Sequence, residues 1–150
     1  MSDPLIEIVS LLKPTTTLSK LVRTYGRWRV KGGDDGRAFY AAITRGEVLL
    51  SLENHTAIFL REGDFVLVPS MYQFQTTSPV QPEPEVISTR VQVSPGVYHI
   101  GHPDEPFSSE MLIGHCAFTS LDTTLLLSLL PSVVHVTNED RLIRLMALIH

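Results

Sequence analysis

Residues 39–74 read FYAAITRGEVLLSLENHTAIFLREGDFVLVPSMYQF, and this stretch decides the fold. Its apolar residues alternate or run in short blocks, interrupted at Gly46, at Glu53-Asn54 and at Gly63-Asp64. Alternation marks a strand with one buried face, and short apolar blocks between turn residues mark strands buried on both. The spacing predicts four short strands joined by tight turns, as in an all-β sandwich or barrel. Any pocket in the protein should be walled by these strands.

The pattern continues on both sides. Upstream, Thr15 to Val22 is rich in Thr, Leu and Val and reads as a strand, and Trp28 to Val30 as another after a turn at Gly26. Gly32-Gly33-Asp34-Asp35-Gly36 is a loop, because glycine supplies positive φ and aspartate bonds the local backbone. Downstream, SPVQPEPE (78–85) is too proline-rich for regular structure and predicts an irregular surface loop. Val86 to Val93, Val97 to Ile100, Glu110 to Phe118 and Val133 to Val136 read as strands, with Pro95-Gly96 turning between the first two.

Helices are expected at the two ends. Asp3-Pro4 is an N-cap followed by proline at the first helical position. Leu5, Ile8, Val9 and Leu12 then share one face before Pro14 ends the helix. Asp122 caps a short helix over Thr123 to Leu130. Thr137-Asn138-Glu139-Asp140 has the form of a capping box for a last helix with Leu142, Leu145, Met146 and Ile149 on one side. That apolar face, running to His150 without a closing glycine, is the candidate dimerisation surface and the start of a linker to something further. The expected organisation is one barrel domain over residues 1–136 and a linker or dimerisation helix over 137–150.

Composition narrows the function. A chain of 150 residues can bury one sound core without staples. No apolar run approaches the ~20 residues that span a bilayer, and Asp3 and Glu7 stand where a signal peptide would be apolar. The single Cys116 allows no internal disulfide, which fits the cytoplasm. A net charge of −4 argues against this chain alone gripping a phosphate backbone.

Few residues carry obvious chemistry. The histidines show no HxH or HExxH spacing, and there is no CxxC, so no metal site and no cofactor is expected. No nucleophile elbow, phosphate loop or carboxylate pair is present. Cys116 alternates with Leu112, Gly114 and Phe118, and is read either as a small buried hydrophobe or as a redox-sensing thiol. Trp28, Tyr40, Tyr72 and Phe74, with His115 and Cys116, are the candidate ligand-binding residues. The aromatic ones serve equally well as core filler.

Gly63 and Pro69 in GDFVLVP (63–69) resemble the second cupin motif, which runs glycine, five residues, proline, any residue, glycine, two residues, histidine. Met71 stands at the second glycine and Phe74 at the metal-binding histidine. Counting back from Gly46, Phe39 occupies the glutamate position of the first motif, whose histidine positions fall between Gly32 and Asp35. A wider likeness includes Trp28-Arg29-Val30, Leu112-Ile113-Gly114-His115-Cys116-Ala117-Phe118 and Leu129-Leu130-Pro131 followed by Val134-His135-Val136. In this order the set resembles the N-terminal cupin domain of AraC-family transcriptional regulators.

That resemblance implies a double-stranded β-helix, or jelly-roll, barrel with flanking helices. It implies a small-molecule effector, a homodimer, and DNA bound only through a separate C-terminal domain absent from this chain. It implies no membrane and no enzyme activity. Two alternatives stay open: a stand-alone cupin metalloenzyme drawing ligands from His55, His99, His102 and His115, and a redox sensor built on Cys116.

Overall fold

A computed structural model of the chain describes residues 19–33, 36–53, 55–116, 125 and 128–137. Ten strands lie within them: β1 (Ser19–Tyr25), β2 (Arg29–Gly32), β3 (Ala38–Leu52), β4 (Ile58–Arg61), β5 (Phe65–Val68), β6 (Phe74–Thr77), β7 (Arg90–Ser94), β8 (Val97–Ile100), β9 (Phe107–Cys116) and β10 (Val134–Val136). One face of the barrel runs β10-β5-β3-β9-β1-β8-β7 and the other β2-β6-β3-β4. All pairs are antiparallel except β1 with β8.

The strand common to both faces is β3, and Gly46 is where it changes over. Ala38 to Ile43 pair with β9, and four of them also with β5. Glu47 to Leu52 pair instead with β4 and β6. Gly46 was expected to separate two strands. It bends a single strand of 15 residues, with φ at 77° beside a register shift at Ile43/Arg45. A Cβ there would stand 2.1 Å from the Ser108 carbonyl oxygen, so the corner admits only glycine.

The bend changes which residues face inward. Phe39, Ala41 and Ile43 point into the core from the first half of β3, and Val48 and Leu50 from the second. They meet Val22, Leu60, Val66, Val68 and Met111 across the interior. The outer face of β3, β5 and β9 is buried too: Tyr40 stacks on Phe65 with centroids 6.4 Å apart, beside Leu67 and Leu112. A strand buried on both sides has no polar alternation to reveal its inner face. The inner set on β9 is therefore Met111, Ile113 and His115, whereas Leu112 and Gly114 face Tyr40.

The loop after β6 is irregular, as expected, and firmly held. Proline carbonyls have no strand partner, and a buried arginine supplies one. Arg29, 5 % exposed, donates from Nη1 to the carbonyls of Glu83 (2.8 Å), Pro84 (3.0 Å) and Val86 (3.2 Å), and from Nη2 to Gln81 Oε1 (3.2 Å). Ser78 and Ser88 tie the loop's two ends to the backbone of Trp28 and Arg29.

The expected first and last helices, with Leu142, Leu145, Met146 and Ile149, lie outside the described residues. Of the short helix expected over 123–130, Leu125 and Ser128 are described as helical.

Candidate ligand-binding site

The barrel encloses a cavity of about 480 Å³. Its position follows from register: Lys20 on β1 lies opposite Ile113 on β9, His115 opposite Phe39 on β3, and Phe74 on β6 opposite Gly32 on β2. These residues occupy the end of the barrel where β1, β3 and β6 begin and β2 and β9 finish. Below them Ile43, Val48, Leu50, Leu60 and Met111 form an aliphatic wall. A volume of this size suits a small organic molecule, and a dry apolar wall favours one with a hydrocarbon body.

Three aromatic rings line the open end. Phe39 and Phe74 stack with centroids 6.1 Å apart and planes 22° from parallel, and His115 meets Phe39 edge-on at 5.8 Å. Gly32 makes room for this stack, since a Cβ there would come within 2.6 Å of the Phe74 ring.

Phe39 and Phe74 stand at two positions where the cupin motifs place metal ligands. The chain thus brings those positions together and fills them with rings that have no lone pair to donate. Among the described residues no group of three His, Cys, Asp or Glu side chains is placed to hold a metal ion. The donor set among the described residues does not fit a cupin metal.

Cations reach the same cavity. Lys20, Lys31, Arg37 and Arg90 all line the cavity, and no carboxylate among the described residues does. Lys20 Nζ and the Arg90 guanidinium both approach the Tyr98 ring, at 5.5 and 5.9 Å. Burial, and then the positive charges of Arg90 and Arg37, lower the pKa of the Lys20 ammonium.

Of the six residues expected around a ligand, Phe74 and His115 line this cavity. Trp28 and Tyr40 are buried elsewhere, Trp28 in the core cluster and Tyr40 on the outer face of β3. Tyr72 is 60 % exposed, its hydroxyl beside Gly36. Cys116 ends β9 opposite Ala38. Sequence reasoning passed over Phe39 as a lining residue, although its motif position pointed inward, and passed over the cations altogether. Lys20, Arg37 and Arg90 are apart in the chain, and only the pairing of β1 with β8 and β9, of β8 with β7, and of β9 with β3 brings them to one cavity.

The histidines considered as metal ligands are dispersed in role. His55 Nε2 bonds Ser132 Oγ at 2.8 Å, His99 packs edge-on to Tyr25, and His102 pairs with Asp104 at 3.3 Å. His135, on β10, bonds the buried Asp64 carboxylate at 3.0 Å and so ties β10 to the Gly63-Asp64 turn.

The sheet curls around a cavity lined by aliphatic and aromatic side chains and by four cations. The cupin family profile matches residues 3–150, and the chain belongs to that family. It is also 30 % identical over 136 residues to a protein of Streptomyces antibioticus and 30 % identical over 138 residues to one of Streptomyces lividans. Both relatives are provisionally named AraC-like transcription regulators. Each alignment covers 89 % of this chain but 44 % of the relative, so the chain spans less than half their length. Among the described residues no helix is long and apolar enough to cross a membrane.

Proposed function

We propose that this chain is the effector-sensing regulatory domain of an AraC-type transcription regulator, and that the effector binds inside the barrel. The observation that carries this reading is the cavity itself. A cupin shell has kept its enclosed volume while placing Phe39 and Phe74 at metal-ligand positions. Such an interior can bind and signal, and its described side chains offer no ligand set for the Lewis acid or redox centre that cupin catalysis draws on.

In this reading the protein is not an enzyme. It works in the cytoplasm, pairs as a homodimer through Leu142, Leu145, Met146 and Ile149, and reaches DNA only through a further domain. The relatives' name and the acidic balance of this chain support that division of labour.

Filling the cavity tests the proposal. Ala41 lines it and is buried, so Ala41→Phe would project a ring into the free volume. A thermal-shift screen of small metabolites should find compounds that raise the melting temperature of the parent chain and not of Ala41→Phe. Compounds that stabilise both equally would place their site outside the barrel and overturn the proposal.

A further inference from the structure

The cavity's lining combines two chemistries. Leu50, Leu60 and Met111 are aliphatic, while Lys20, Lys31, Arg37 and Arg90 are cationic, with Lys20 and Arg90 converging on the Tyr98 ring. The chain carries 12 Lys and Arg against 16 Asp and Glu, yet four of those 12 cations line one cavity without a described carboxylate among them. Chance placement on a net acidic chain would intersperse the two signs.

The clustering also has an energetic consequence. The ion pairs among the described residues are Arg23–Glu110, His102–Asp104 and His135–Asp64, and none involves Lys20, Lys31 or Arg90. Asp34 and Asp35, between Lys31 and Arg37 in the chain, lie outside the described residues. Like charges around a cavity repel one another, so that after burial, the larger cause, Arg90 and Arg37 also depress the Lys20 pKa. An anion seated between them would turn that repulsion into attraction and add charge-assisted hydrogen bonds.

We propose that the barrel's ligand is an amphipathic organic anion, its charged head held by Lys20 and Arg90 and its apolar body inserted toward Leu50, Leu60 and Met111. This rests on the reading of the cavity as the effector site. Size narrows the class. A cavity of about 480 Å³ falls within the range of sites that take one small organic molecule. A two-chain lipid is too large. A bare inorganic anion would leave the aliphatic wall unfilled, and a sugar would bring hydroxyls that the wall cannot satisfy.

Calorimetric titration of the chain with decanoate, decyl phosphate, decanol and decyltrimethylammonium separates head from tail. Decanoate or decyl phosphate should bind about tenfold or more tightly than decanol, the scale of one charge-assisted contact, and the cationic amphiphile should bind least. The preferred anion identifies the head as carboxylate or phosphate. The double variant Lys20→Met, Arg90→Met should remove the anion's advantage and leave decanol binding unchanged. Equal binding of decanol and both anions, or anion binding indifferent to the double variant, would overturn the anionic head while leaving the cavity as the site. No binding by any of the four, or equal binding by Ala41→Phe, would overturn the effector-site reading and this inference with it.

Discussion

The ring of Phe39 stacks on the ring of Phe74, centroids 6.1 Å apart, although 35 positions separate 39 from 74 in the chain. The contact places two former ligand positions of the cupin shell face to face and makes their meeting point apolar. At these two positions the interior offers stacked rings in place of donor atoms.

Phe39 is buried and touches both Phe74 and His115, so its truncation should cost much of a buried aromatic's worth. Phe39→Ala is expected to destabilise by about 3 kcal/mol, and Phe39→Leu by less than about 1.5 kcal/mol. Urea denaturation midpoints of the two variants measure the difference.

Arg29 holds the proline-rich loop through the carbonyls of Glu83, Pro84 and Val86, the first of which also accepts from the Val86 N–H. Arg29→Met should cost about 2 kcal/mol, with Arg29→Lys recovering only part, because an ammonium cannot reproduce the guanidinium fork. Hydrogen exchange should rise over residues 78–89 in both variants. Unchanged protection there would mean that the loop holds itself.

Gly46 combines positive φ with a close approach to the Ser108 carbonyl. Gly46→Ala is expected to destabilise by at least about 2 kcal/mol, because the corner of β3 must open to admit a methyl group. Thermal denaturation followed by circular dichroism tests this.

Lys20 titrates lower in the folded chain than in the unfolded one, so folding disfavours its charged form. Its contribution opposes folding at all pH values below the folded pKa. The opposition fades as pH rises from there toward the unfolded value of about 10.4. Lys20→Met should therefore melt slightly above the parent at neutral pH, and the gap should narrow in alkaline buffer. A parent that melts higher at neutral pH would contradict this.

How much of this was legible in the sequence depended on local information. The strands β4 and β5 and the β7–β8 hairpin were readable because glycine, proline and alternating residues mark them within a few positions. Gly46 misled because a turn glycine and a bend glycine look alike without the pairing of Arg45 to Glu110 and of Glu47 to Arg61. The inner face of β9 was unreadable because Leu112 and Met111 are equally buried at 5 % exposure. Phe39 and Phe74 were placed by motif spacing, which carries three-dimensional information that hydropathy does not. The cavity's cations were invisible because no local pattern links Lys20 to Arg90. Only the parallel pairing of β1 with β8, and of β8 with β7, brings these two to one cavity.

The central claim, that a small molecule binds within the barrel, is tested most directly by methyl resonances of the chain titrated with decanoate and with decanol. Saturable shifts confined to Ile43, Leu50, Leu60 and Met111, all lining the cavity, are predicted. Shifts at the exposed Val91 and Val93 of β7 with the cavity methyls unmoved would contradict an internal site.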